Sequence, residues 1–193
     1  MRIVKYPHPA LRHKSKPLRR VDGEVRTMVA AMFDLMYTHV GIGLAANQVD
    51  LPYRLFVLNI SGDSREKGQE MVFINPAIIS RSGMAEADEG CLSFPELFAP
   101  VKRPDQITVS AYNLAGQEMR LELSGLAARA VQHESDHLDG ILFVDRLTPA
   151  GELEVKEALS DFELEFEGDR RRGVVPDDQE IAARLADLEA LRT

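Results

Sequence analysis

His133 and His137 stand four residues apart, with Glu134 beside the first, in the run His133-Glu134-Ser135-Asp136-His137. On a helix, residues at that spacing lie one turn apart, so both imidazoles leave the same face. Two neutral imidazoles so placed can hold a divalent ion, and the adjacent carboxylate can take a proton from a water bound there. That is the chemistry of a metal-dependent hydrolase. The flanking residues support a helix, because Leu126, Ala127, Ala130, Val131, His133, Glu134, His137 and Leu138 recur with helical spacing and Gly140 follows as a stop signal.

A hydrolytic site keeps one position open for water or substrate, so a tetrahedral ion needs a third protein ligand. One zincin class places a third histidine where this chain has Phe143, which cannot bind a metal. Another class takes a glutamate from the following helix, and Glu157, with Asp161 after it, falls at that spacing. The stretch from Glu152 to Asp169 is so rich in carboxylates that a glutamate meets the spacing almost by composition. Cys91, the only cysteine, offers a third answer. An isolated cysteine commonly serves as a small buried hydrophobe. Here Gly90 lets backbone approach a bound group closely, and a thiolate with two imidazoles makes a soft site with one open position.

Three separated segments match one family's signature: Gly41-Ile42-Gly43-Leu44-Ala45-Ala46-Asn47-Gln48 for GxGLAAxQ, Glu89-Gly90-Cys91-Leu92-Ser93 for EGCLS, and Gln132 to His137 for QHExDH. In that order and spacing, over about residues 1 to 147, the chain resembles the peptide deformylases. The resemblance implies removal of the formyl group from the formylmethionine that begins a new polypeptide, with release of formate. It implies one divalent metal held by Cys91, His133 and His137. Ferrous iron is the expected ion, with zinc, nickel or cobalt able to take the same donors. Glu134 would be the general base, and the Gln48 side-chain amide with the Leu92 N–H would meet the oxyanion. Ile42, Gly43 and Gly90 would pair with an extended substrate, and Leu126 and Ala130 would line the methionine pocket. Arg129 lies near the expected mouth as a substrate contact or an ordinary surface arginine. Glu89 and Arg103 are expected to pair and hold the Cys91 turn, with Asp136 a supporting or surface carboxylate.

Composition agrees with a single compact enzyme of 193 residues. There is no apolar stretch long enough to span a bilayer, and the segment from Met1 to Pro7 lacks the apolar run of a signal peptide. With one cysteine no intramolecular disulfide forms, which suits a reducing compartment; the cytoplasm is the expected location. The net charge of −8 argues against direct nucleic-acid binding, and most of it falls beyond residue 150. The ribosome remains a candidate partner through the nascent chain.

The elements that must position these residues follow from periodicity. An amphipathic helix is expected over Gly23 to Val40, and strands over Arg54 to Ile60, Met71 to Ser80, Gln106 to Tyr112, Gln117 to Leu123 and Ile141 to Val144. Strands surrounding one central motif helix make an α+β domain over residues 1–147, with residues 148–193 an acidic extension. Within it, Phe162 to Gly173 alternates apolar and acidic residues and reads as an exposed strand or linker. Asp177 and Glu180 set up a capping box, after which Ile181, Leu185, Leu188 and Leu191 form a narrow stripe. That stripe belongs on the chain's own domain, at a dimer seam or on a ribosomal partner.

Overall fold

A computed structural model describes residues 1–193. Helix α1 (Gly23–Thr38) begins at Asp22, whose carboxylate accepts from the Val25 N–H at 3.0 Å, and buries Val25, Val29, Met32, Phe33 and Met36 on one face. Strands β1 (Gly43–Ala45), β2 (Leu55–Leu58), β3 (Met71–Ser82), β6 (Gln106–Tyr112) and β7 (Glu118–Ser124) form an antiparallel sheet in the order β1-β2-β3-β6-β7. Strands β4 (Ala85–Cys91) and β5 (Phe94–Arg103) form a separate hairpin.

Helix α2 (Gly125–Leu138) carries the histidine motif and lies against β1, β2, β6 and β7. Its apolar face, with Ala128, Ala130, Val131 and Leu138, packs on Phe56, Leu58, Phe73, Ile107, Val109 and Ala111. Burying such a face supplies most of a helix's stability, so the sheet fixes the direction in which His133 and His137 point. The α+β architecture with a central motif helix is as expected.

Two expectations fail on local grounds. Ile141 to Val144 is not a strand: Phe143–Arg146 forms a 3₁₀ turn, in which Asp145 accepts from the Leu142 N–H at 2.8 Å and Arg12 holds the same carboxylate. Phe162 to Gly173 is not a strand or linker either, because helix α3 runs Pro149–Arg171. Its apparent alternation hides a helical stripe. Val155, Leu159 and Phe162 pack on the cluster around Phe94, and Phe166 packs on a smaller cluster with Ala10 and Val175. Leu164, between them, is exposed. The hairpin β4–β5 gave little signal, since Ala85-Glu86-Ala87-Asp88-Glu89-Gly90 is poor in strand-favouring residues and β5 carries Pro95 and Pro100.

Helix α4 (Asp178–Arg192) starts with the anticipated capping box, Glu180 N–H donating to Asp177 at 2.8 Å and Asp177 N–H to Glu180 at 3.3 Å. It packs on its own chain. Ile181 and Leu185 are buried with Ala10 and Val175, Leu188 meets the α1 core, and Tyr53 donates to the Leu188 carbonyl at 3.0 Å. Leu191 stays exposed. Ile181→Ala is expected to lower the stability of the whole chain by about 2–5 kcal/mol, in one cooperative urea transition.

Candidate metal centre and active site

Cys91 ends β4, and His133 and His137 lie one turn apart on α2. The hairpin brings the thiol to the helix, so that one donor atom from each of the three residues lies within 4.8 Å of the others. Cys91 Sγ and His137 Nε2 are 3.2 Å apart. A sulfur and two imidazole nitrogens at this spacing suit a borderline divalent ion, and the number of protein donors leaves one position open. The donor set therefore fits a single metal. Glu157 is exposed on α3 and lies outside this group, so the rival third ligand drops out.

His133 and His137 differ in their surroundings. His133 Nδ1 is 3.0 Å from Glu89 Oε2, which leaves Nε2 free to face the thiol. Burial alone would lower the proton affinity of His133, but Cys91 and Glu89 raise it well above the ordinary imidazole range. An environment that attracts a proton so strongly also attracts a divalent cation. Burial, followed by His133 and Arg103, lowers the proton affinity of His137 far below the usual value, keeping that imidazole neutral as a metal ligand must be.

Glu89 is the hub of the supporting shell. It accepts from Arg103 Nε at 2.6 Å and Nη2 at 2.9 Å, and from Arg129 Nη1 at 2.6 Å. Arg103 also donates to Asp136 at 2.6 Å, and Asp136 accepts from Arg146 Nε at 3.0 Å. Burial alone would raise the Glu89 carboxyl, but hydrogen bonds from His133 and Arg103 hold it at about 2. The expected Glu89–Arg103 pair is thus present, and it reaches a histidine as well as the cysteine turn. Asp136 is a bridging carboxylate. Arg129 is tied to Glu89 and to the carbonyls of Val101 and Ala85, at 2.9 and 2.8 Å.

Above the three donors lies a cleft of about 610 Å³, lined in part by Ile42, Gly43, Gln48, Gly90, Leu92, Leu126, Ala130 and Glu134. The anticipated site residues from all three sequence segments meet here; His137 lies just beneath, 1% exposed. Gln48 Oε1 accepts from the Ala45 N–H at 2.8 Å, which turns Nε2 toward Cys91 Sγ and Ser93 Oγ, each 3.3 Å away. Glu134 is buried, Oε2 has no hydrogen-bond partner, and desolvation pushes its carboxyl up to about 7.

Three contributions escaped sequence reasoning. A Cβ at position 43 would collide with the Glu134 carboxylate, and one at position 90 with the Phe98 ring. Asn47, buried within the first motif, donates to the His137 carbonyl and ties that segment to the end of α2. The double glycine in the motif was the available signal for the first; nothing local pointed to Phe98 or to the Asn47 contact.

Glu89→Gln should weaken Co2+ or Zn2+ binding about 10–100-fold in a chelator-competition titration, because His133 loses its anionic partner. It should also destabilise the fold by about 1–3 kcal/mol in urea, since the buried Arg103 then keeps Asp136 as its one carboxylate partner.

The polypeptide deformylase family matches residues 1–152. The peptide deformylase of Rhodopirellula baltica is 44% identical over 191 residues, 99% of this chain and 94% of that protein. Among solved structures, peptide deformylase 1B of Arabidopsis thaliana superposes with a TM-score of 0.83 at 41% identity, covering 92% of this chain and 97% of that one. The Plasmodium falciparum peptide deformylase gives 0.84 at 38% identity, covering 86% and 98%. With its fold, its cysteine–histidine donor group and these relatives in agreement, the chain belongs to the polypeptide deformylases, enzymes that remove the N-formyl group from newly made polypeptides.

Proposed function

We propose that this deformylase holds one divalent ion through Cys91, His133 and His137, uses Glu134 as general base, and stabilises the oxyanion with Gln48 and the Leu92 N–H. The observation that carries the reading is that a buried carboxylate and a fixed amide donor share the cleft with a group of three metal-type donors. When bound, the ion supplies Lewis-acid polarisation and a lowered pKa for water at the site. Glu134 takes a proton from the attacking water; its raised carboxyl suits proton exchange near neutral pH. Oxygen adds to the formyl carbon, and the negative charge that develops on the formyl oxygen meets Gln48 Nε2, pre-aimed because Ala45 fixes the other end of the amide. Glu134 then gives the proton to the departing nitrogen as the carbon–nitrogen bond breaks, leaving formate and a free amine.

Substrate binding follows from the edges of the two sheets. β1 pairs only with β2, and at its start Ile42 and Gly43 line the cleft, where backbone can meet an extended peptide. Ile42, Gly43 and Gly90 lie along the walls where its backbone would run, while Leu126 and Ala130 offer apolar surface to the methionine side chain. Residues 1–147 are read as the catalytic unit and 148–193 as its acidic extension. Fe2+ is the proposed cellular ion, with Zn2+, Ni2+ or Co2+ able to occupy the same donors. The cytoplasm is the proposed location, supported by the single cysteine and by the absence of any helix long and apolar enough to cross a membrane.

The test is formate release from N-formyl-Met-Ala-Ser by anaerobically purified protein, with metal content measured on the same sample. Iron near one per chain and activity that falls on aeration are expected. Glu134→Ala should lower kcat by about 10²–10⁴-fold, with Glu157→Ala unchanged. No formate from fully metallated wild type would overturn the reading. Gly43→Ala, which displaces the Glu134 carboxylate and crowds the wall that meets the substrate backbone, should lower kcat/KM about 100-fold.

A further inference from the structure

Phe94 lies three residues after Cys91, is 1% exposed, and is surrounded by aromatic rings from distant parts of the chain. Tyr6 stacks on it at a centroid distance of 5.0 Å, Phe143 meets it edge-on at 5.2 Å and Phe162 edge-on at 6.0 Å. Phe143 in turn lies nearly parallel to the His133 ring, 6.3 Å away. A continuous run of rings, Phe162–Phe94–Phe143–His133, therefore leads from helix α3 to a candidate metal ligand, and Cys91 itself packs against the same cluster. The N-terminal segment is clamped into this arrangement. Tyr6 N–H donates to the Ser93 carbonyl at 2.9 Å, and the Tyr6 hydroxyl donates to Glu163, the neighbour of Phe162, at 2.9 Å.

We infer that Phe162, in the extension beyond residue 147, is a positioning residue for the Cys91–His133 ligand pair. The inference rests on the reading of Cys91, His133 and His137 as a metal site. Close-packed interiors transmit displacement, because a ring removed from one side of a cluster leaves its neighbours without opposing contacts. Phe94 is the shared neighbour: on one side its backbone continues into the cysteine turn, and on the other its ring meets the Phe143 ring that lies over His133. With Phe162 in place, both ligand-bearing segments are pressed against one fixed surface. Without it, Phe94 is free to move into the vacated volume and the separation of thiol and imidazole is no longer held.

The test uses the full-length chain loaded with Co2+ alone. Metal loss into excess EDTA is followed by the absorbance of the thiolate–cobalt chromophore, and Tm is measured for each variant. Phe162→Ala should speed Co2+ loss at least about tenfold, in the range that residues supporting metal ligands ordinarily show. Phe162→Tyr, which keeps the ring, should restore the wild-type rate. Ile181→Ala, which loosens the other end of the extension through a different cluster, should leave the rate within about twofold of wild type when assayed at the same interval below its own Tm. Equal Co2+ loss from wild type and Phe162→Ala, or equal acceleration in Phe162→Ala and Ile181→Ala, would overturn the inference. Should Phe162→Ala fail to fold, Phe162→Leu takes its place under the same criterion, since it removes the ring edge but keeps most of the volume. Wild type that binds no Co2+ would overturn the metal reading itself and the inference with it.

Discussion

Glu89 is a carboxylate held almost entirely out of water, and its desolvation is offset by three partners from two elements: Arg103 from β5, and Arg129 and His133 from successive turns of α2. An ion pair this deep adds little net stability compared with apolar packing of the same volume, because both charges have lost their hydration. What it adds is geometry. A buried charge has few acceptable positions, so Glu89 fixes how the hairpin that carries Cys91 docks on the helix that carries the histidines. Asp136 extends the constraint by joining Arg103 to Arg146 on the turn after α2.

The cleft depends on two close approaches that only glycine permits. At Gly43 the Glu134 carboxylate occupies the space that a Cβ would need, and at Gly90 the Phe98 ring does the same. Each glycine therefore has two functions in the proposed mechanism. It places its peptide group on the wall of the cleft, and its missing side chain lets a neighbouring group sit closer than any other residue would allow. Gln48 shows the same economy of position: the Ala45 N–H that holds its oxygen also decides that its nitrogen faces the thiol.

The C-terminal extension is less separate from the site than its acidity suggests. Its charges face outward along α3, while Val155, Leu159 and Phe162 turn inward onto the cluster that contains Phe94 and Phe143. Helix α4 then crosses back to the start of the chain, where Arg192 pairs with Asp22 at 2.6 Å and the Arg19 N–H donates to the Arg192 carbonyl at 3.0 Å. The helix that ends the chain thus closes over the segment that leads into α1.

By itself, the sequence determined the chemistry: a histidine pair at helical spacing, a carboxylate beside it, one cysteine in a glycine turn and a glutamine at the end of a glycine-rich motif. These were legible because ligand type and helical periodicity are local properties. The same holds for α1, α2, the capping box of α4 and most strands of the large sheet. The motif resemblance already pointed to Cys91 rather than Glu157; what the tertiary structure adds is that the fold carries Cys91 to the histidines of α2 and leaves Glu157 outside that group. Only the tertiary structure decided that Phe162 to Arg171 is helix: a period-two alternation of phenylalanine and glutamate is compatible with a strand until packing selects the i, i+4 pair Phe162 and Phe166, both half-buried, to face the core. The contacts of Glu89 with Arg129 and His133 and the contact between Gly43 and Glu134 were not legible for one physical reason. Each is a long-range contact, whose stabilisation exists only after separate segments have been brought together and desolvated.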